Sequence, residues 1–150
     1  MALGSGRGGS FTLIDESYNA SPPAMRAAFA VLAGVEPGAG GRRIAVLGDM
    51  LELGAETAAL HAELAAELAA AKIDLVCTAG LNMAHLNAAL PEAMRGAHAA
   101  RAEDLLPLVL DLIRPGDVVM IKGSHGSRMG LIVDALLARD VAPRNAANGA

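Results

Sequence analysis

The chain is poor in aromatic residues and in cysteine. Its 150 residues include no tryptophan, two phenylalanines and one tyrosine. So few rings cannot build a base-stacking platform, and 12 Lys and Arg against 16 Asp and Glu leave no strongly basic surface, so we do not expect nucleic-acid binding. The single cysteine, Cys77, has no intramolecular disulfide partner, which favours a reducing, cytoplasmic location.

Long apolar runs are also missing. No stretch approaches the roughly 20 apolar residues that a membrane-spanning helix needs, and the first residues lack the apolar segment of a signal peptide. Hydrophobic residues nevertheless make up 53% of the chain, enough for one folded domain of ordinary size. Because aromatic residues are scarce, we expect Leu, Val, Ile, Met and Ala to fill the core.

Short apolar strands alternate with amphipathic helices along the chain. Strands are predicted at 11–15, 43–47, 73–78, 97–100 and 118–121, and helices at 24–33, 56–71, 82–90, 105–113 and 128–138. Uniformly apolar strands are typical of a parallel sheet covered on both faces. We therefore predict a three-layer α/β domain over residues 11–140, with a mainly parallel sheet of about six strands. Residues 1–10 are predicted to be a flexible lead-in or linker, and 141–150 a frayed tail.

Polar residues follow three of the predicted strands. Asp15 and Glu16 come at the end of the first strand, and Asp49 follows the second. Lys122 and Ser124 follow the last strand. Open α/β sheets bind ligands outside the carboxyl ends of their strands, where parallel strands share one edge. The sequence therefore predicts that these side chains form one site.

Each of these residues also has an ordinary structural explanation. Asp15 and Glu16 can be solvated carboxylates at a strand end, and Asp49 can cap a helix or form a turn. The segment after the last strand can be a plain strand-to-helix turn. His61 lies on the apolar face of the longest predicted helix, a position more typical of a buried histidine bonded to a neighbour than of a ligand.

Phosphate-binding and metal-binding motifs are absent from the sequence. No G-x-x-x-x-G-K-[ST] segment occurs, and the G-x-G-x-x-G match at 4–9 precedes a strand and opens no helix, so it is interpreted as linker. The four histidines and one cysteine do not have metal-ligand spacing. No Ser, His and Asp set indicates a hydrolase triad.

Three segments taken together resemble the carboxyl-terminal domain of the Mur ligases. They are Ile14–Pro22 with Met25, Arg43 and Val46–Gly54 with His61, and Lys122–Ser124 with Met129. The resemblance implies a Rossmann-like fold within a three-domain, ATP- and Mg²⁺-dependent ligase. It also implies that the nucleotide is bound mainly by a central P-loop domain that this sequence lacks.

The resemblance is strongest to the branch of the family that adds a dipeptide. In that branch the carboxylate of UDP-N-acetylmuramoyl-tripeptide becomes an acyl phosphate, which the amine of D-alanyl-D-alanine attacks. The product is a peptidoglycan precursor, made in the cytoplasm. The implied partners are therefore the two substrates together with the amino-terminal and central domains of the same enzyme.

The resemblance also implies roles for residues of the predicted site. Glu16, Tyr18 and Asn19 are expected to contact the nucleotide. Five residues are expected to contact or organise the dipeptide substrate: Asp49, His61, Lys122, Ser124 and His125. No catalytic residue and no metal ligand is assigned to this chain, so we expect it to be inactive without the other domains.

Two other functions stay open from the residues alone. Asp15–Glu16, Asp49, Thr78 and Lys122 follow strands in the order of a receiver-type phosphoacceptor domain, although the long separation of Thr78 from Lys122 leaves room for a further strand–helix unit. The second is a nucleotide-binding module that acts alone. Phosphorylation of Asp49 would indicate the first, and tight ATP binding by this chain would indicate the second.

Overall fold

The computed structural model of the chain describes residues 2–4, 10–17 and 20–139. Its strands are β1 (Ala2–Gly4), β2 (Ser10–Glu16), β3 (Arg43–Gly48), β4 (Leu75–Ala79), β5 (Arg95–Ala99) and β6 (Val118–Lys122). Its α-helices are α1 (Pro22–Ala33), α2 (Thr57–Ala70), α3 (Met83–Ala89), α4 (Ala102–Leu112) and α5 (Gly130–Arg139). Short 3₁₀ turns lie at Gly54–Glu56, Glu92–Met94 and His125–Ser127.

The six strands form one sheet in the order β1-β2-β6-β3-β4-β5. The five strands from β2 to β5 in this order are parallel to one another, and β1 pairs with β2 antiparallel. The predicted mainly parallel α/β sheet is thereby confirmed. Strand β6, last in the chain, lies between β2 and β3, so the carboxyl ends of all three strands are neighbours.

Alternating side chains of the central strands enter two separate cores. On β3, Ile44 and Val46 pack with α4 and α5 on one face, whereas Ala45 and Leu47 pack with α1, α2 and α3 on the other. The aliphatic and sulfur-containing residues expected to fill the core do so, with Phe11 and Phe29 as buried rings. Each face of the sheet is therefore covered, as uniformly apolar strands require.

Helix α1 begins at Pro22, two residues before its predicted start at 24. The Ser21 side-chain oxygen accepts a hydrogen bond from the Ala24 N–H at 3.2 Å, and Pro22 occupies the first helical position. Proline fits there because that N–H has no helical partner to lose. This cap fixes where the chain leaves the end of β2 and turns into the helix.

The amino-terminal prediction was wrong at one point. Residues 1–10 were expected to be a flexible lead-in, but Ala2–Gly4 forms β1, in register with Ser10–Thr12 of β2. Without β1, the backbone N–H and C=O groups along that side of β2 would lie unpaired at the sheet edge, which favours pairing with a further strand. The tail expected at 141–150 lies outside the described residues.

Helix α4 also differs from its prediction. Its expected start at Leu105 would have placed Pro107 in the first turn, but the helix begins at Ala102 and contains Pro107. Proline inside a helix removes one backbone hydrogen bond. Pro107 is exposed, and the face of α4 that carries Leu105 and Val109 still packs in the core.

A buried ion pair joins the amino ends of β3 and β6. Asp117, only 1% exposed, lies 2.8 Å by its Oδ2 from Arg42 Nη2. The same carboxylate accepts hydrogen bonds from the backbone N–H groups of Arg42 and Arg114, at 2.9 and 2.8 Å. We call this edge of the sheet, with Arg42, Arg43, Gly116 and Asp117, the amino rim.

In the described part of the chain, no helix is long and apolar enough to cross a lipid bilayer.

Candidate functional site

The opposite edge of the sheet carries most of the predicted site residues. Glu16 and Lys122 are paired across β2 and β6, and Lys122 is paired with Leu47 across β6 and β3. Asp49 and Ser124 follow two residues after these paired positions, and the Ser124 N–H lies 3.4 Å from the Asp49 carbonyl oxygen. We call this edge, with Glu16, Asp49, Lys122 and Ser124, the carboxyl rim. The structure thus brings together side chains that are more than 100 positions apart in the chain.

Glu16 and Lys122 form an ion pair. The Lys122 Nζ lies 3.5 Å from the Glu16 Oε1, with the lysine side chain 4% exposed and the glutamate 31% exposed. A buried ammonium needs such a partner, since a charge without one is costly to take out of water. The pair joins the strand end expected to serve the nucleotide to the strand end expected to serve the dipeptide.

The carboxylate of Asp15, next to Glu16, is hydrogen-bonded to a neighbouring residue of the same turn. Its Oδ1 accepts hydrogen bonds from the Ser17 N–H at 3.0 Å and from the Ser17 hydroxyl at 2.6 Å. Such a bond to the backbone two residues on is a turn-forming role. Tyr18 and Asn19, the other two expected nucleotide contacts, lie outside the described residues.

Asp49 has the structural role that was its alternative interpretation. Its Oδ1 accepts from the Met83 N–H at 2.8 Å and its Oδ2 from the Asn82 N–H at 3.3 Å, at the start of α3. A carboxylate there satisfies helix N–H groups that have no partner within the helix. Asp49 therefore ties the end of β3 to the loop between β4 and α3.

His61 cannot contact a substrate in this structure, which corrects its expected role as a substrate-binding residue. The side chain is fully buried. Its Nε2 accepts from the Met50 N–H at 3.0 Å, and its Nδ1 lies 2.7 Å from the Thr57 carbonyl oxygen. Both ring nitrogens are used inside the chain, as the alternative interpretation of a buried, bonded histidine predicts.

Ser124 carries an unusual hydroxyl. Its Oγ is buried, and among the described residues it has no hydrogen-bond partner. Its backbone carbonyl, in contrast, accepts from the Ser127 hydroxyl at 2.6 Å and from the Ser127 N–H at 3.0 Å. A buried hydroxyl without a partner costs free energy unless something else binds it, so this atom is the strongest single indication of a ligand at the carboxyl rim.

Two glycines allow the segment after β6 to pack onto the strand ends. A Cβ on Gly48 would lie 2.5 Å from Met129 Cγ, and a Cβ on Gly123 would lie 2.5 Å from Ser127 Oγ. These distances are far inside van der Waals contact, so a side chain at either position would push the segment away. The close packing sets the height of Ser124 and its neighbours above the sheet.

A cleft of about 420 Å³ opens beside Asp49. It lies above the carboxyl ends of β3, β4 and β5. Connections from β4 and β5 lead to helices on opposite faces of the sheet, and this divergence opens a crevice of the kind that binds ligands in α/β proteins. Besides Asp49, the cleft is lined by Gly126 and Ser127 after β6 and by residues that the sequence did not single out: Leu51, Ala79, Gly80, Leu81, Asn82, Ala100, Arg101, Ala102, Glu103 and Arg128.

The cleft has an ion-paired arginine and an exposed leucine at its edge. Arg101 is exposed and forms ion pairs with Glu103 and Asp104, and the hydrogen bond that it donates to the Asp104 carboxylate raises the pKa of the Arg101 guanidinium. Leu81 is 77% exposed at the edge of the cleft. Leu81 follows Gly80, the first residue after β4, and nothing in the sequence marked this leucine as exposed.

His125 lies apart from the cleft. It is exposed and lines a separate hollow of about 360 Å³ with Ser17, Arg128 and Asp134. The structure therefore places Asp49 on the cleft and His125 on this second hollow, and the two hollows share Arg128. Within the described ranges, no three His, Cys, Asp or Glu side chains converge as ligands for a metal ion.

Known proteins resemble this chain in sequence. A family model described as Mur ligase, glutamate ligase domain matches residues 3–125. A UDP-N-acetylmuramoyl-tripeptide–D-alanyl-D-alanine ligase of Mycobacterium tuberculosis is 36% identical over 153 residues, covering 89% of this chain and 30% of the relative. A ligase of the same name from Bacillus subtilis is 36% identical over 129 residues, covering 84% and 28%. The chain spans less than a third of these relatives.

Solved structures resemble it in fold. A crystal structure of MurF from Acinetobacter baumannii superposes with a TM-score of 0.72 at 28% identity, covering 87% of this chain and 28% of that one. MurF ligase from Thermotoga maritima, solved in complex with ADP, superposes with a TM-score of 0.66 at 26% identity, covering 85% and 28%. Both similarities extend over most of the strands and helices described above.

Proposed function

This chain belongs to the Mur ligase family, within the group described as the glutamate ligase domain, and from this premise we propose that it is the carboxyl-terminal domain of an ATP-dependent ligase. The full enzyme would join D-alanyl-D-alanine to UDP-N-acetylmuramoyl-tripeptide, in the cytoplasmic synthesis of a peptidoglycan precursor. The observation that carries the proposal is the carboxyl rim, where β6 ends in a buried lysine and a serine hydroxyl without a partner among the described residues, and where Asp49 of the same rim lines an open cleft.

The residues of the rim suit a dipeptide. A dipeptide carboxylate needs a cation and hydrogen-bond donors, which the Lys122 ammonium and the Ser124 hydroxyl would provide. The adjoining cleft is lined by Ala79, Ala100 and Ala102, small side chains that leave room for two alanyl methyl groups. We assign Lys122 and Ser124 to binding and Asp49 to shaping this end of the site.

The nucleotide side of the rim is proposed on Glu16. Its carboxylate is partly exposed and could accept hydrogen bonds from ribose hydroxyls, with Tyr18 and Asn19 of the same loop as further contacts. ATP supplies the phosphoryl group that activates the tripeptide carboxylate. The phosphates and Mg²⁺ are assigned to the central P-loop domain, since the sequence carries no P-loop.

In this proposal the chain contributes orientation. Lys122 and Ser124 would hold the dipeptide carboxylate so that its free amine faces the activated carbonyl. When the amine attacks, the new C–N bond forms, phosphate leaves and the amine loses a proton. Holding two reactants in this arrangement accelerates a reaction without a protein nucleophile, and a closing domain can supply it.

The decisive experiment replaces the matching domain of the Mycobacterium tuberculosis relative with this chain. We expect the chimera to form the tripeptide–dipeptide product with ATP, and the chain alone to form none. A folded chimera without ligase activity would contradict the proposal. The matched control is a chimera with Ser124→Ala, which should fold equally well and bind the dipeptide more weakly.

The two other functions are less well supported. The five parallel strands follow the chain order first-fifth-second-third-fourth across the sheet, whereas receiver domains have the order 2-1-3-4-5. The Asp49 carboxylate, the would-be phosphoacceptor, is engaged at the start of α3. For the module acting alone, isothermal titration of this chain with ATP is the test, and we expect weak or undetectable binding.

A further inference from the structure

The two residues after β3 are bonded to three other segments of the carboxyl rim. The Asp49 carboxylate accepts from backbone N–H groups at the start of α3, and the Asp49 carbonyl oxygen lies 3.4 Å from the Ser124 N–H. The Met50 N–H donates to His61 of α2 at 3.0 Å. One turn therefore joins α2, the β4–α3 loop and the segment after β6. The Met50 side chain is itself fully buried in the core.

The hydrogen bonds of His61 define a single form of its ring. A backbone N–H can only donate, so the Nε2 that faces Met50 must carry a lone pair. A carbonyl oxygen can only accept, so the Nδ1 that faces Thr57 must carry the proton. The ring is therefore neutral and protonated at Nδ1. The side chain is rigidly held, because it is fully buried and both nitrogens have partners.

Gly80 completes the arrangement from the other side. Its φ is +120°, and a Cβ on Gly80 would collide with the Asp49 carboxylate. The absence of a side chain lets that carboxylate reach across the end of β4 to the N–H groups of Asn82 and Met83. The position of the cleft wall at 80–82 thus depends on where Asp49 is held.

We propose that Asp49 and His61 are a positioning pair for the dipeptide end of the site. His61 holds the turn at Asp49, and Asp49 sets the distance between Ser124 and the cleft wall at 80–82. Neither residue needs to contact the dipeptide. This inference rests on the proposed function for its substrate, but the hydrogen bonds that carry it can be tested without any ligase activity.

The first test uses the unsubstituted chain. Ring ¹⁵N shifts of His61 should show the neutral form protonated at Nδ1, and the Met50 and Met83 amides should be protected from hydrogen exchange. A ring protonated at Nε2, or a rapidly exchanging Met50 amide, overturns the proposal. This measurement needs no variant and does not depend on how well any variant folds.

The second test compares three variants by amide exchange. His61→Leu removes the acceptor, and we expect the Met50 and Met83 amides to exchange at least about tenfold faster. The amides of Gly38 and Val118, which donate to the Gly116 and Arg42 carbonyl oxygens of the amino rim at 2.8 Å each, should not change. His61→Gln can place an oxygen near the lost Nε2 and should restore most of the protection, while His85→Gln on exposed α3 surface is the matched control. Uniformly faster exchange at both rims would show a role in global stability alone and would overturn the proposal.

The third test is kinetic, in the chimera. We expect His61→Leu to raise the dipeptide KM about tenfold with the ATP KM unchanged, and His61→Gln to restore it. Equal effects on both KM values, or altered exchange without a change in the dipeptide KM, overturn the positioning role. An unsubstituted chimera without activity would instead contradict the proposed function, while the exchange results would still stand.

Discussion

The two rims of the sheet are built from the same strands but differ in how completely their polar groups are hydrogen-bonded within the chain. At the amino rim, the Asp117 carboxylate is surrounded by donors from Arg42 and Arg114, and Gly41 packs directly against the Gly116 backbone. At the carboxyl rim, Lys122 has one ion-pair contact at 3.5 Å, and the Ser124 hydroxyl has no partner among the described residues. The Asp117 carboxylate of the amino rim therefore has its hydrogen-bond partners within the chain, whereas Lys122 and the Ser124 hydroxyl of the carboxyl rim are left with capacity to bind a ligand.

The difference between the rims indicates that the polar groups of the amino rim stabilise the fold and that those of the carboxyl rim are available to bind a ligand. Donors and acceptors that saturate each other contribute to folding and offer nothing to a ligand. Buried polar groups left incomplete reduce stability and gain a partner when a ligand arrives. We therefore expect substitutions at the amino rim to change unfolding, and substitutions at the carboxyl rim to change mainly substrate affinity.

The largest expected effect is at Asp117. Asp117→Ala leaves the Arg42 guanidinium and two backbone N–H groups without their acceptor, and should lower the free energy of unfolding by about 3 kcal/mol. Urea unfolding measures it. Glu36→Ala is the control, because Glu36 pairs with Arg43 at 3.4 Å but is 91% exposed, and it should have little effect. Similar losses for both would contradict the role given to the buried pair.

A substitution at Gly80 tests whether the Asp49 carboxylate is held rigidly at the carboxyl rim. Gly80→Ala combines a positive φ with a collision against Asp49 and should cost about 1–3 kcal/mol in unfolding free energy. Gly40→Ala separates the two causes, because Gly40 also has a positive φ, +75°, with open space around it. The difference between the two variants in urea unfolding reports the collision together with the greater backbone strain at φ +120° than at +75°. Equal losses would mean that Asp49 can move aside.

Lys122 and Ser124 test the binding side of the comparison. In the chimera, Lys122→Ala and Ser124→Ala should each raise the dipeptide KM about tenfold, equivalent to about 1.4 kcal/mol, and leave the ATP KM unchanged. Steady-state kinetics with each substrate varied in turn measures both values. Arg26→Ala, on the exposed surface of α1, is the control. A larger effect on ATP would place the end of β6 on the nucleotide side.

The smallest expected effect is at Glu16. Glu16→Gln keeps the shape of the side chain but removes its charge, so the ATP KM in the chimera should rise by a factor of about three, with the dipeptide KM less affected. Because Glu16 also faces Lys122, the double variant with Lys122→Ala measures their coupling. An unchanged ATP KM would show that this strand end does not serve the nucleotide.

Much of the fold was predictable because its signals are local. Apolar runs located β3, β4 and β6 to within about two residues, and the helical pattern located the start of α1 equally well. The start of α4 was missed because Arg101, its N-cap residue, makes no side-chain capping bond and gives no recognisable signal. Pro107 then suggested a later beginning. The pairing of Ala2–Gly4 with β2 was missed because a glycine-rich segment has no apolar pattern.

The site was predictable in part. Sheet topology alone implied that Glu16, Lys122 and Asp49 would share an edge, and they do. The cleft beside them was missed because its walls come from loops after β4, β5 and β6, whose residues are small or exposed and show no common pattern. His61 was given a substrate role by resemblance, whereas the structure uses both of its ring nitrogens internally.

The sequence by itself determined the strands, their apolar faces and the polar residues that end them, because these depend on periodicity and on neighbours a few positions away. Tertiary structure decided which polar ends are satisfied. The bonded partners are separated by tens of residues: Arg42 and Asp117 meet only when β6 packs beside β3, and Asp49 and Met83 meet only when β4 pairs with β3. Whether a charged side chain stabilises the fold or remains available to a ligand depends on those distant partners, which no local pattern specifies.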